Sequence, residues 1–179
     1  MKTAIILAAR REKESEIPYP LKAFAPDLCL LDRTIGILRD LHFSNILIVV
    51  GYKAEMFRKY EADDVTLIVN KDYEFTASMG SLALAKDYVK EDFLLIESDT
   101  FYERRLIEQL ASRTEDNCLS MTEESGSGDE CFMETKNGFV TKITKDRHRV
   151  CHFEGEMIGV SRITLDTFEM LVNAWEHAS

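Results

Sequence analysis

Two spacings of apolar residues alternate along the first two thirds of the chain. Continuous apolar runs are typical of buried strands, whereas apolar residues three or four apart indicate one face of a helix. The continuous runs predict strands at residues 2–8, 45–50, 65–69, 93–96 and 117–122. The helical spacing predicts helices at residues 30–41, 78–89 and 103–110.

Buried strands that alternate with helices predict a parallel sheet covered on both faces. Right-handed crossovers then give a three-layer α/β/α sandwich, a Rossmann-like fold with a mostly parallel sheet. Ligands of such sheets bind beyond the carboxyl ends of the strands. The candidate positions for chemistry are therefore the segments that follow strands, at residues 8–11, 51–55, 70–81 and 97–102.

The pattern changes after Glu123. Residues 124–129 (ESGSGD) are typical of a polar loop, and Asn137-Gly138 between two alternating runs, 130–134 and 139–144, predicts a β-hairpin. A strand at 157–161 and a helix at 165–176 follow. We expect one domain over residues 1–179, with a small hairpin insertion at 124–154 and with its C-terminal part incomplete.

Composition and charge narrow the classes of partner. The net charge of −10 argues against a nucleic acid held through its phosphates, but a few local cations can still serve a small phosphate ligand. No apolar run approaches the roughly 20 residues of a membrane span, and the N-terminus has a strand pattern rather than that of a signal peptide. We therefore expect a cytoplasmic protein without a membrane partner.

The cysteines point to no metal site. The chain has four, and none are paired at the C-x-x-C spacing of zinc sites. We expect buried, reduced thiols at these positions. They are Cys29, Cys118, Cys131 and Cys151.

The opening segment AIILAARREKESEIPYPLKAF (4–24) resembles the ILAAGxGxR…PKxL signature of nucleotidyltransferases that activate sugar 1-phosphates and choline phosphate. Four later segments follow in the order of that family. They are NILIVVGYKAE (45–55), NKDYEFTASMGSLALAKDY (70–88), LLIESDTFYE (94–103) and FEGEMIGVSRIT (153–164). The resemblance covers nearly the whole chain and is strongest to the choline-phosphate and 2-aminoethylphosphonate cytidylyltransferases.

This resemblance implies the nucleotide-diphospho-sugar transferase fold and a direct transfer reaction. A small phosphate or phosphonate acceptor, such as phosphocholine or 2-aminoethylphosphonate, attacks the α-phosphorus of CTP, and pyrophosphate leaves. Mg²⁺ is the implied cofactor. Two alternatives stay open, namely activation of a sugar 1-phosphate and a non-catalytic nucleotide-binding module of the same fold.

The first loop is implied to hold the triphosphate through Leu7, Ala8, Ala9, Arg10 and Lys22. Arginine offers a planar donor fork to phosphate, and a lysine can stabilise charge that develops at the α-phosphate, so Arg10 and Lys22 are the candidate catalytic cations. Arg11 is the alternative to Arg10, and solvated surface cations are the alternative for all of them.

The glycines that the family places after Ala9 are missing, since the first glycine of the chain is Gly36. Glycine lets the backbone approach phosphate closely. Two explanations stay open. Either this relative has a weakened phosphate loop, or a glycine-bearing insert between Ala9 and Arg10 is missing from the sequence.

Asp99 closes the predicted strand at 93–96 and is the implied Mg²⁺ ligand, because Mg²⁺ prefers oxygen donors and keeps substrate phosphates in its shell. Glu97 is a weaker candidate, and a helix cap is the alternative role for Asp99. The family's second metal ligand lies near its C-terminal end, and we cannot place it before Ser179.

The remaining candidates concern the base and the acceptor. Gly80 and Ser81 match the family's base-recognition turn, with a plain helix N-terminus as the alternative. Glu156 matches the acceptor contact, and Tyr73 and Tyr102 could surround a cationic acceptor with rings, with core packing as the alternative.

Overall fold

The computed structural model describes residues 1–11, 15–114 and 117–178. Residues 12–14 of the opening segment and Ser179 at the end of the expected domain lie outside them. The strands are β1 (Thr3–Ala8), β2 (Ala23–Ala25), β3 (Leu28–Cys29), β4 (Asn45–Val50), β5 (Val65–Val69), β6 (Phe93–Glu97), β7 (Cys118–Thr122), β8 (Phe132–Lys136), β9 (Phe139–Thr144) and β10 (Gly155–Ile163). The α-helices are α1 (Leu30–Asp40), α2 (Ser78–Ala83), α3 (Arg104–Ser112) and α4 (Leu165–Ala178).

Within the described residues, an eight-stranded mixed sheet runs in the order β5-β4-β1-β6-β10-β8-β9, and β7 pairs with β10. Strands β5, β4, β1 and β6 are parallel, and β10 joins β6 antiparallel. The predicted Rossmann-like α/β fold is confirmed, with the parallel arrangement confined to the first half of the sheet.

The parallel strands are apolar on both faces because helices cover both. Alternate residues of β1 enter different cores: Ala4 and Ile6 pack with α1 and α3, whereas Ile5 packs with α2 and α4. This burial explains the continuous apolar runs of the sequence. None of the helices among the described residues is long and apolar enough to cross a membrane.

Helix α2 ends at Ala83, six residues before the predicted end. Beyond it the backbone turns through bonds between residues three apart, such as Ala85 N–H to the Leu82 carbonyl and Tyr88 N–H to the Ala85 carbonyl. The apolar spacing therefore continues although the α-helix does not.

The predicted hairpin is confirmed, and Asn137 (φ 55°) and Gly138 (φ 81°) form its two-residue turn.

All four cysteines are free thiols, but only Cys29 is buried, and Cys151 is exposed. The expectation of buried thiols is therefore correct for Cys29 alone. Its Sγ accepts a hydrogen bond from Asp32 N–H, and the Asp32 carboxylate accepts one from Cys29 N–H. This reciprocal capping box begins α1.

Strand β10 shares one of its edges between two partners. Glu156 pairs with β7 and with β8, and Arg162 pairs with β7 and with β6. It follows that β7 lies along one edge of β10, while β6 and β8 lie one after the other along the opposite edge. The sheet opens between them, beside Gly159, at the carboxyl end of β6.

Candidate functional site

The carboxyl ends of β1 and β6 are joined at the edge of the sheet. Ser98 donates hydrogen bonds from its backbone N–H (3.2 Å) and its hydroxyl (2.7 Å) to the Leu7 carbonyl. The residues that follow are thereby brought together, and Arg10 Nη1 lies 3.9 Å from Asp99 Oδ2. The structure thus places two of the predicted side chains, one cation and one carboxylate, close together.

A second carboxylate and a second cation enter this site from the hairpin region. Arg10 Nη1 also lies 3.7 Å from Asp129 Oδ2, and Lys145 Nζ donates to Asp129 Oδ1 at 2.6 Å. The hydrogen bond from Lys145 lowers the pKa of Asp129, and the same bond raises the pKa of Lys145. The charges of Arg10, Lys145, Asp99 and Asp129 therefore alternate across the opening.

Glu97 extends the acidic side of the site. Its side chain lies against Gly159, where an added Cβ would come within 2.6 Å of Glu97 Cβ. Burial, and then the negative charge of Asp99, raise the pKa of Glu97. Within the described residues, no group of three or more His, Cys, Asp and Glu side chains is arranged to hold a metal ion. The site fits a Mg²⁺ held by one or two carboxylates together with substrate phosphates and water.

The two neighbouring arginines point to different partners. Arg11 Nη1 lies 3.5 Å from Glu74 Oε1, and its guanidinium lies 5.3 Å from the ring centroid of Tyr52. The Tyr52 and Tyr73 rings are 6.4 Å apart. Tyr73, which was predicted to contact the acceptor, therefore lies with Arg11 beyond β4, and burial raises its pKa. Of the two arginines, Arg10 is the one that faces Asp99.

Close backbone approach at the end of β1 is provided by Gly51. An added Cβ there would lie 2.6 Å from Tyr73 Cβ and 2.8 Å from the Ala9 carbonyl oxygen. The next residue, Tyr52, donates its N–H to the Ala9 carbonyl at 3.0 Å. Gly51 therefore packs the predicted nucleotide loop directly against the end of β4.

Lys22 follows the short 3₁₀ turn Tyr19–Leu21, in which Pro20 is buried. Its ammonium lies over the Tyr19 ring, 5.1 Å from the centroid. Leu21 stands between Pro20 and Lys22, whereas the family signature has proline directly before lysine. A contact between Lys22 and phosphate stays a prediction.

Gly80 and Ser81 lie in the first turn of α2 and are both buried. An added Cβ at Gly80 would lie 2.7 Å from Thr76 Cβ, so packing alone requires a glycine there. The Ser81 hydroxyl accepts a hydrogen bond from the Asn70 side-chain amide at 3.0 Å. Contact of either residue with a base stays a prediction.

A CMP-5'-(3-aminopropyl)phosphonate synthase from Streptomyces rubellomurinus is 28% identical over 127 residues, which are 65% of this chain and 20% of that protein. A choline-phosphate cytidylyltransferase from Haemophilus influenzae is 38% identical over 80 residues, which are 42% of this chain and 33% of that protein. The inositol-1-phosphate CTP transferase from T. maritima superposes on 95% of this chain and 73% of its own, with a TM-score of 0.76 and 20% identity. The chain has the nucleotidyltransferase fold.

The relatives confirm the resemblance to nucleotidyltransferases, including those that form cytidylyl products. The aligned regions span only a fifth and a third of these two relatives. No protein-family model matches the chain.

Within the nucleotidyltransferase fold, Glu156 lies near the start of β10. Its Oε2 accepts a hydrogen bond from Ser125 N–H at 2.8 Å, which fixes the beginning of the loop that carries Asp129. A role of Glu156 in acceptor binding stays a prediction, because the structure shows it first as a support for this loop.

Tyr102 lies in the core rather than at the rim. Its side chain is 5% exposed, and its hydroxyl lies 3.1 Å from the Thr34 hydroxyl. Burial raises its pKa to about 12. We therefore do not keep Tyr102 among the substrate contacts, and we assign its ring to packing between α1 and the sheet.

Sequence reasoning missed Asp129 and Lys145. Neither residue follows a strand of the parallel sheet, and neither belongs to one of the five quoted motifs. A polar loop before a hairpin was predicted, but no local signal showed that this loop returns to the carboxyl end of β6.

Proposed function

We propose that this chain is a nucleotidyltransferase of the cytidylyltransferase type, which transfers CMP from CTP to a small phosphate or phosphonate that carries an amine. The observation that carries this proposal is the pairing of Arg10 with Asp99 at the carboxyl edge of the sheet, beside the opening in the β10 edge. The two curated relatives, which are named for a cytidylylated aminophosphonate and for choline phosphate, support the choice of donor and acceptor.

The nucleotide occupies the edge formed by β1 and β4 in this proposal. The Leu7–Ala9 backbone supports the triphosphate, and Arg10 and Lys22 neutralise its charge. Gly80 and Ser81 contact the nucleobase in this arrangement. Two cations beside the α-phosphate favour the more negative transition state, because they are held in position before the reaction begins.

Asp99 would hold Mg²⁺ against the phosphates, with Glu97 close by. The metal would act there as a Lewis acid on the phosphate oxygens. The exposed Asp99 carboxylate, 45% accessible, leaves room for a metal that keeps water and phosphate ligands.

The acceptor lies in the opening between β6 and β8. Glu156 attracts its amine, and the acidic character of Glu97 and Asp129 disfavours purely anionic acceptors. Tyr73 packs on Gly51 at the end of β4, on the other side of β1 from this opening, so a contact between its ring and the acceptor is not part of this arrangement. An oxygen of the acceptor phosphate or phosphonate forms a bond to the α-phosphorus in line, and the bond to the bridging oxygen of pyrophosphate breaks. This chemistry needs no protein base, because the acceptor oxygen is already an anion.

Pyrophosphate release tests the proposal directly. We expect Mg²⁺-dependent release with CTP and either phosphocholine or 2-aminoethylphosphonate, and little with UTP and glucose 1-phosphate. Turnover only with UTP and glucose 1-phosphate would show that the acceptor is a sugar phosphate rather than an amine-bearing phosphate or phosphonate. No turnover with either pair would contradict the proposal of an enzyme.

A further inference from the structure

The loop at residues 124–131 presents a single carboxylate, Asp129, to two cations. Arg10 Nη1 lies 3.7 Å from one of its oxygens, and Lys145 Nζ lies 2.6 Å from the other. The loop arches through Gly126 and Gly128, with φ angles of 71° and 85°, values that favour glycine. The Glu156 carboxylate fixes its start through Ser125 N–H.

We propose that Asp129 is a positioning residue that stands in for a substrate phosphate. It holds Arg10 and Lys145 at the opening until a polyphosphate arrives, and it then yields both cations to that ligand. The inference rests on the proposed function, because it takes the ligand of Arg10 to be the triphosphate of a nucleotide.

A polyphosphate can replace Asp129 as the partner of Arg10 and Lys145 at little energetic cost, because both ion pairs lie at the surface. The side chains of Arg10 and Asp129 are 75% and 59% exposed, and exposed ion pairs of this kind are weak. A polyphosphate offers several charged oxygens in the geometry that a guanidinium binds in a bidentate manner, whereas Asp129 meets Arg10 only at 3.7 Å. Removing the Asp129 charge should therefore strengthen polyphosphate binding, whereas damage to the loop would weaken it.

The test is calorimetric titration with inorganic tripolyphosphate in the presence of a metal chelator, so that no metal links ligand and carboxylate. We expect Asp129→Asn to bind tripolyphosphate about 3- to 10-fold more tightly than the unmodified chain, since two exposed ion pairs are lost. Glu124→Gln is the matched control. It removes one negative charge from the same exposed loop without touching Arg10 or Lys145, and we expect a change below about 2-fold.

A second arm places Asp129→Asn in a chain that also carries Arg10→Ala and Lys145→Ala. In that chain, Asp129→Asn should no longer strengthen tripolyphosphate binding relative to the Arg10→Ala, Lys145→Ala chain, because the cations that Asp129 holds are gone. Unchanged or weaker binding by Asp129→Asn, or an equal gain in Glu124→Gln, would overturn the inference. Because no turnover is measured, these outcomes are separate from those of the pyrophosphate assay.

Discussion

Gly51→Ala should both lower the stability of the fold and disturb the proposed nucleotide-binding edge formed by β1 and β4. The added methyl would lie 2.6 Å from Tyr73 Cβ and 2.7 Å from its Cγ, and 2.8 Å from the Ala9 carbonyl oxygen. Two of these three atoms belong to the backbone or to the stiff start of a side chain. Neither can rotate away, so the end of β1 and the end of β4 must separate.

Overpacking of this kind costs about 1–3 kcal/mol. With a urea dependence of about 2 kcal/mol per molar, the midpoint of unfolding should fall by roughly 0.5–1.5 M. The Ala9 carbonyl would move away from Tyr52 N–H, which it now meets at 3.0 Å, so we also expect the KM for the nucleotide to rise.

The control is Gly36→Ala, the same substitution in α1. No atom lies within 4 Å of the added methyl there, and alanine stabilises a helix interior by about 0.5–1 kcal/mol relative to glycine. Urea unfolding followed by circular dichroism should therefore shift in opposite directions for the two variants. A Gly51→Ala chain as stable as the original, with an unchanged nucleotide KM, would refute the close packing between these strand ends.

Three further predictions concern single side chains. Asp99→Asn should lower Mg²⁺-dependent turnover by about 100-fold or more while leaving the unfolding midpoint unchanged, as measured by pyrophosphate release and urea unfolding; near-normal turnover would remove Asp99 from the mechanism. The pKa of Glu97 is raised, so the fold loses stability as pH rises through that pKa and the side chain becomes charged. Glu97→Gln should therefore melt at a higher temperature than the original chain at pH 7. The difference in melting temperature should vanish near pH 4, where the glutamate is largely protonated in both the folded and the unfolded chain. Tyr102→Phe should cost about 1 kcal/mol of folding free energy through its lost buried hydrogen bond, without a change in the acceptor KM, whereas a large rise in that KM would return Tyr102 to the substrate site.

The parallel half of the fold was predictable because its strands are buried on both faces. Residues of β1 and β4 such as Ile6 and Ile48 face one core while Ile5 and Leu47 face the other, which leaves continuous apolar runs in the sequence. The rule that ligands bind at the carboxyl edge then pointed to the segments 8–11 and 97–102, within which the family resemblance implied Arg10, with Arg11 as the alternative, and Asp99. Their proximity follows from topology and needs no knowledge of individual contacts.

The antiparallel half was less accessible from the sequence. Asp129 reaches the site only because β8 pairs with residues 155–156 of β10, and no local periodicity encodes that distant pairing. For Tyr102 the sequence left substrate contact and core packing open, and its burial favours core packing. Tyr102 follows Asp99 by three residues, but its ring turns into the core, and a motif does not distinguish the rim of a site from the packing beneath it.

Because the whole chain is negatively charged, the balance of charged side chains at the opening between β6 and β8 decides whether a polyanion binds there. A protein with a net charge of −10 has no general attraction for a polyanion, so binding must depend on the balance within the site. There, two cations, Arg10 and Lys145, face two carboxylates, Asp99 and Asp129, which weaken the attraction of the cations for a bare triphosphate. In the proposed function Mg²⁺ neutralises Asp99 and part of the triphosphate charge, and withdrawal of Asp129 exposes both cations. Attraction would therefore be strongest when metal and nucleotide arrive together, which is the condition that in-line transfer requires.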